Sequence, residues 1–262
     1  MRLLKRLSST VDFGAKTVAR EKKQEMVNEV FTKVADKYDL MNDVMSLGIH
    51  RLWKDEFISD MGSFRTSAPL SFLDVAGGTG DIAFRISNKL KHEVPVNPPD
   101  HNKITVSDIN PGMLSVGKQR ASMLGLNLNW VEANAESLPF PENSFDYYTI
   151  AFGIRNVTDR LKAIKEAKRV LKKGGRFMCL EFSKVSNPVI GPFYDVYNKY
   201  LIPNLGSLVA GDKDSYQYLI ESIEKFPTQE EFAKIMAEAG LSAIHYRNLT
   251  FGVVAIHSGL NL

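Results

Sequence analysis

Between residues 70 and 182 the hydrophobic positions fall in five short, β-rich runs, Leu70–Ala76, Ile104–Ile109, Leu128–Glu132, Phe145–Phe152 and Arg176–Phe182. Stretches with helical spacing separate them. The alternation predicts parallel strands joined by crossover helices, an α/β sheet with helices on both faces. Over 158–173, Leu161, Ile164, Ala167, Val170 and Leu171 make one apolar stripe, basic residues fill the last turn, and Gly174-Gly175 predicts a left-handed stop. After Pro227, Thr228 and Glu231 form a capping box, Phe232, Ile235, Met236 and Ala239 face inward, and Gly240 ends the helix. Ser242–Leu249 and Gly252–Ser258 predict a closing antiparallel hairpin. Ahead of the sheet, Val27, Val30, Phe31, Val34 and Tyr38 follow an i, i+3, i+4 rule, and Trp53, Phe57 and Met61 repeat every fourth residue. This predicts a helical cap over 11–62, interrupted by turn formers at 39–46. The expected organisation is one domain over 11–262: the cap, a ligand-binding core (63–182), an insertion (183–226), and a closing helix and hairpin (227–262).

Composition supports a folded chain and narrows its chemistry. The 262 residues are 44% apolar and 24% charged, ample for a core and without the signature of disorder. The 33 basic and 30 acidic side chains leave a net charge of +3, and no basic groove for nucleic acid appears after residue 25. A single cysteine, Cys179, and five scattered histidines offer no metal-ligand spacing, so a metal-free chemistry is expected. No run approaches the roughly eighteen apolar residues of a membrane span. The first ten residues, MRLLKRLSST, are basic, free of acids and carry leucines on one helical face, which fits part of a mitochondrial transit peptide.

In an open parallel sheet, ligands bind beyond the carboxyl ends of the strands. The first strand runs into Asp74-Val75-Ala76-Gly77-Gly78-Thr79-Gly80-Asp81, where glycines bring the backbone close to a ligand. Gly78, Gly80 and Ala83 also fit a dinucleotide fingerprint, but carboxylates on either side of the loop, Asp74 and Asp81, suit a ligand with an ammonium and a sulfonium better than a pyrophosphate. The second strand places Asp108 where it can accept from both hydroxyls of a ribose. After the third, the side chain of Asn134 and the backbone of Ala135 can read an adenine edge. The fourth ends Ala151-Phe152-Gly153-Ile154-Arg155-Asn156, bringing an aromatic, a cation and an amide to the same rim.

With LDVAGGTGD, SDIN, ANAESLPFP and AFGIRNVTD in order, the chain resembles a class I S-adenosylmethionine-dependent methyltransferase of Rossmann-like fold. The segments at 33–54, 151–159, 180–188, 211–227 and 252–259 narrow this: they resemble the ubiquinone/menaquinone biosynthesis C-methyltransferase family. The resemblance implies methyl transfer from S-adenosylmethionine to a ring carbon of a polyprenyl benzoquinol. The basic leader and the insertion Lys91–Lys103 point to the mitochondrial branch, for which the substrate is 2-methoxy-6-polyprenyl-1,4-benzoquinol. The family's cofactor contacts fall on Thr79, Asp108, Asn134, Ala135 and Ala151; the last is a serine in some relatives, so only backbone is available here.

Ring methylation needs a quinol that has lost a proton, and therefore a base in reach or a positive group beside the oxyanion. Arg155 is the candidate for the positive group, with Asn156 orienting the ring hydroxyl and Tyr38 of the cap in the same network. The competing expectation is an ion pair between Arg155 and Asp159, four residues on. In 192–209, Phe193, Tyr197, Tyr200 and Leu201 share a helical face, which fits ordinary core, a groove for the tail or a homodimer interface. A membrane-dissolved substrate and a chain without a span together imply peripheral attachment to the matrix side of the inner mitochondrial membrane, among other ubiquinone-biosynthesis proteins. A nicotinamide-dependent oxidoreductase and a non-catalytic, cofactor-binding scaffold are the alternatives.

Overall fold

The computed structural model describes residues 10–34, 42–43, 46–65, 68–94, 103–185 and 213–262. Among the described residues the first elements are a β-hairpin, β1 (Thr10–Phe13) and β2 (Lys16–Ala19), and the helices α1 (Arg20–Val34) and α2 (His50–Ser59). The core then alternates β3 (Ser71–Val75), α3 (Asp81–Glu93), β4 (Lys103–Asp108), α4 (Pro111–Met123), β5 (Asn129–Glu132), β6 (Phe145–Ala151), α5 (Arg160–Val170) and β7 (Leu171–Phe182). It closes with α6 (Lys213–Glu224), α7 (Gln229–Glu238), β8 (Ser242–Leu249) and β9 (Val254–Leu260).

Seven strands form one sheet in the order β5-β4-β3-β6-β7-β9-β8, parallel through β7 and antiparallel in the last two. After β5 the chain returns to the other side of β3, so the winding direction reverses there and a crevice opens at the carboxyl ends of β3, β4 and β6. The period-two pattern of the strands fills two cores. On one face Phe72, Met178 and Leu180 pack with α2, α3 and α4; on the other Leu73, Phe177 and Cys179 pack with α5 and α7. Each fully buried large side chain contributes roughly 1.5–3 kcal/mol.

The predicted strands lie within a few residues of those observed, and the Thr228–Glu231 capping box is formed. Two helical expectations are corrected. Residues 10–19 form a hairpin, where alternating exposure along Thr10–Phe13 outweighs the helical pattern read over the cap. The helix expected over 158–173 runs only from Arg160 to Val170, because Asp159 caps it, accepting from the Lys162 N–H at 3.0 Å, and Leu171 turns extended to pair with Phe145. Gly174 is left-handed, but within a strand, where its N–H donates to the Asn261 carbonyl at 2.7 Å. Tyr38, the stretch 192–209 and residues 1–9 lie outside the described residues.

Candidate active site

The loops after β3, β4, β5 and β6, together with α1 and α2, enclose an open cavity of about 1020 Å³ counted to its mouth. Of the residues singled out in the sequence, Asp74, Gly78, Thr79, Asp108, Asn134, Ala135, Ala151 and Asn156 line it.

The glycine bend sets the floor. Gly78 has φ +54°, and a Cβ there would come within 3.0 Å of the Met113 methyl, so bare backbone faces the cavity. Gly80 stands behind the loop as the left-handed residue before α3, and a Cβ on it would meet the Trp130 ring at 2.7 Å. Thr79 is fixed by the Arg120 guanidinium, which donates to its Oγ1 at 2.9 Å.

Three carboxylates surround the bend. Asp74 is fully buried on β3; its Oδ1 accepts from the Thr149 hydroxyl at 2.8 Å, while its buried Oδ2 has no hydrogen-bond partner among the described residues. Burial pushes its pKa up to about 7, against the opposing Thr149 bond and with Asp81 and Asp108 adding to the rise. Asp108, at the end of β4, accepts from the Gly78 N–H at 2.9 Å and the Asn110 N–H at 2.8 Å. Its pKa is raised by burial despite those two bonds. Asp81 opens α3 and faces Lys54 of α2, whose Nζ lies 2.6 Å from its Oδ2. Burial raises the Asp81 pKa, but the Lys54 and Arg85 cations outweigh it and hold the carboxylate below its usual range.

At the edge of β5, the Asn134 Oδ1 accepts from the Glu136 N–H at 2.8 Å, which shapes the turn and sets Ala135 against the cavity. At the rim of β6, Phe152 takes a left-handed conformation, φ +55°, and turns the chain into a short 3-10 segment over Ile154–Asn156. The Asn156 Oδ1 accepts from the Tyr218 hydroxyl of α6 at 2.9 Å, and Phe13 stacks on Tyr218 at 4.3 Å.

Arg155 departs from the expectation. It does not line the cavity: its guanidinium, 4% exposed, pairs with Glu181 at 2.8 Å, donates to the Phe152 carbonyl and lies 5.5 Å above the Phe182 ring. Asp159 is not its partner, being bonded instead to Arg20 and the first turn of α5. Glu181, the penultimate residue of β7, is itself 1% exposed, and two charges held out of water are less costly paired than apart.

Two residues escaped the sequence reading. Lys54 sits on the buried stripe of α2 with His50, Trp53, Phe57 and Ile58, so a lysine at a core position was the available signal. Glu181 ends the apolar run Met178-Cys179-Leu180 and is 1% exposed, a second charge out of place in a hydrophobic pattern.

A doubly wound sheet with a glycine bend and an acid at the end of the neighbouring strand is common to nucleotide-binding folds, and the solved structures that share this one place it in the class I methyltransferase fold. The [4+2]-cyclase SpnF shares it at 16% identity, with a TM-score of 0.61 over 89% of this chain and 94% of that one. A methyltransferase from Thermotoga maritima shares it at 18% identity and TM-score 0.59, over 89% and 99%. The chain belongs to the ubiE/COQ5 methyltransferase family, whose model matches residues 16–261. It is 52% identical to a mitochondrial 2-methoxy-6-polyprenyl-1,4-benzoquinol methylase of Arabidopsis thaliana, across 97% of this chain and 91% of that one. It is also 52% identical to a ubiquinone/menaquinone biosynthesis C-methyltransferase of Rickettsia massiliae, across 94% and 97%. The chain is an S-adenosylmethionine-dependent methyltransferase, and the lining suits such a donor: its carboxylates are complementary to a cationic end, and the buried Asp74 Oδ2 has no hydrogen-bond partner among the described residues. Among the described residues, no group of histidine, cysteine or carboxylate side chains could hold a metal ion.

Proposed function

We propose that this chain methylates a ring carbon of 2-methoxy-6-polyprenyl-1,4-benzoquinol in ubiquinone biosynthesis. The observation that carries the reading is the cluster of Asp74, Asp81 and Asp108 around a bare glycine bend, in a chain half identical to a plant enzyme named for that substrate. Bound S-adenosylmethionine supplies a methyl group on a positively charged sulfur. Asp108 holds the ribose through lone pairs left after its two backbone bonds, and Asn134 and Ala135 border the adenine. Thr79 and the loop backbone support the methionyl chain. Asn156 faces the acceptor: with its oxygen occupied by Tyr218, its N–H groups are what it offers a ring oxygen that is losing its proton. Phe152, against Trp53 and Phe182 at 6.3 and 5.0 Å, provides an apolar wall that keeps water from the reacting carbon. Arg155 acts from behind, as a positioning residue that braces the rim. Tyr38 completes the proposed proton network.

We place the enzyme in the mitochondrion, peripheral to the matrix face of the inner membrane, with partners drawn from the same biosynthetic route. Two features support this: a relative named mitochondrial, and large apolar side chains left exposed on adjoining segments. Leu52 and Phe251 are 63% and 66% exposed, while their neighbours Trp53 and Thr250 are hydrogen-bonded at 2.7 Å. No helix among the described residues is long and apolar enough to cross a membrane. The test of the reaction is incubation with methyl-labelled S-adenosylmethionine and a short-tailed demethyl quinol. Label on the ring carbon is expected; label on oxygen, or none, refutes the proposal.

A further inference from the structure

S-adenosylmethionine brings three charges to its methionyl end: a sulfonium, an ammonium and a carboxylate. The cavity answers the two cations with three acids, Asp74, Asp81 and Asp108. Only one lysine or arginine is among the described residues lining it, and that is Lys54. Lys54 is 5% exposed, far from the solvated surface where lysines normally sit. It has three donor hydrogens, and a single bond, to Asp81 Oδ2 at 2.6 Å, is present among the described residues. Asp81, in turn, is shared with Arg85, 3.7 Å from its other oxygen, so two cations converge on one carboxylate. Arg85 is also paired with Asp55 at 3.4 Å, so what marks Lys54 is not an excess of positive charge but its place as the only cation on the described lining, with donor hydrogens beyond the one given to Asp81. The position is also right: Asp81 is the first residue of α3, directly after the glycine bend that carries Thr79.

We infer that Lys54, reaching from α2 into the cavity, is the anchor for the cofactor's carboxylate, so that the segment ahead of the sheet contributes a contact to the donor. The inference rests on the assignment of the cavity to S-adenosylmethionine. Asp81 then has a double part, holding the lysine on one side and meeting the ligand's ammonium on the other. Such a pair explains why a charged side chain occupies the apolar stripe of α2, between Trp53 and Phe57, where packing alone would place an aliphatic residue.

Calorimetry on the full chain tests this with two ligands, S-adenosylmethionine and its decarboxylated analogue, which keeps the adenosine, sulfonium and ammonium. Lys54→Met is expected to weaken S-adenosylmethionine by about tenfold or more, the worth of a charge-assisted hydrogen bond, and to leave the decarboxylated analogue within about twofold. Lys54→Arg should keep most of the discrimination between the two ligands. Retained binding of the analogue shows that the Met variant is folded. If Lys54→Met weakens both ligands equally, or neither, Lys54 only braces Asp81 and the inference fails while the cofactor assignment stands. If the unaltered chain binds neither ligand, the cofactor assignment itself fails, and the inference with it.

Discussion

Glu181 and Arg155 form a buried ion pair one layer behind the cavity, and substituting them decides whether Arg155 acts on the ring or on the wall. Glu181 accepts from Arg155 Nη1 at 2.8 Å, from the Arg155 backbone N–H at 3.3 Å and from the Phe182 N–H at 2.9 Å. Neither side chain is more than 4% exposed, so removing one charge leaves the other buried without its ion-pair partner. Breaking a buried pair of this kind costs about 3–5 kcal/mol. Glu181→Gln keeps one oxygen, enough for the Phe182 N–H on Oε1, but loses the charge and the Oε2 acceptor of the Arg155 N–H; Arg155→Met retains the bulk against Phe182. Each single variant is expected to lose about 3 kcal/mol or more in urea unfolding followed by tryptophan fluorescence. The double variant should lose about 2–3 kcal/mol less than the sum of the two, because no charge is stranded. Turnover adds the decisive comparison. If Arg155 works by bracing the turn at Phe152, Glu181→Gln and Arg155→Met lower kcat to a similar extent. The reasoning is refuted if the single losses add within about 0.5 kcal/mol, or if Arg155→Met abolishes turnover while Glu181→Gln leaves it intact.

Gly80→Ala should cost about 2 kcal/mol or more and lower the melting temperature, because alanine is strained at φ +88° and its methyl would sit 2.7 Å from Trp130; an unchanged melt would contradict the packing described. Asp74, held up to about 7 by burial, ties cofactor affinity to pH: a cationic ligand favours the ionised carboxylate, so affinity should rise between about pH 6 and 8 with proton release, and Asp74→Asn should flatten the rise in calorimetry. For folding the sign is opposite. The raised pKa contributes stability that is full below the unfolded value of 3.8 and is lost as pH rises through about 7, so Asp74→Asn should flatten that part of the urea-midpoint profile. Leu52→Asp combined with Phe251→Asp should reduce co-sedimentation with phospholipid vesicles and leave S-adenosylmethionine binding unchanged; equal sedimentation of the two proteins would remove this face from the membrane account.

The sheet was legible because its inner strands are largely buried and announce themselves as short apolar runs, and because the Thr228–Glu231 box is a local signal that tertiary contacts do not override. The same local logic located the cavity. Gly78, Thr79, Asp108, Asn134 and Ala135 all lie at strand ends, and the doubly wound topology gathers strand ends whatever the side chains do. Arg155 shows the limit. Its position at the rim of β6 could be read, but the direction of its guanidinium depends on Glu181, 26 residues away on the adjoining strand, and no spacing rule links the two. Lys54 was hidden for a related reason, since its partner Asp81 lies 27 residues on and the contact exists only once α2 packs against α3. The N-terminal hairpin was missed because its strands are four residues each, too short for a period of two to stand out beside a helical neighbour.

The most direct measurement is calorimetric titration of the purified chain with S-adenosylhomocysteine and, separately, with NADH, repeated on Asp108→Ala. One molecule of S-adenosylhomocysteine bound per chain, no heat from NADH, and a loss of about tenfold or more in Asp108→Ala are the expected results. Binding of NADH in place of S-adenosylhomocysteine, or S-adenosylhomocysteine affinity indifferent to Asp108, would mean that the sulfonium donor is not held between the glycine bend and the end of β4.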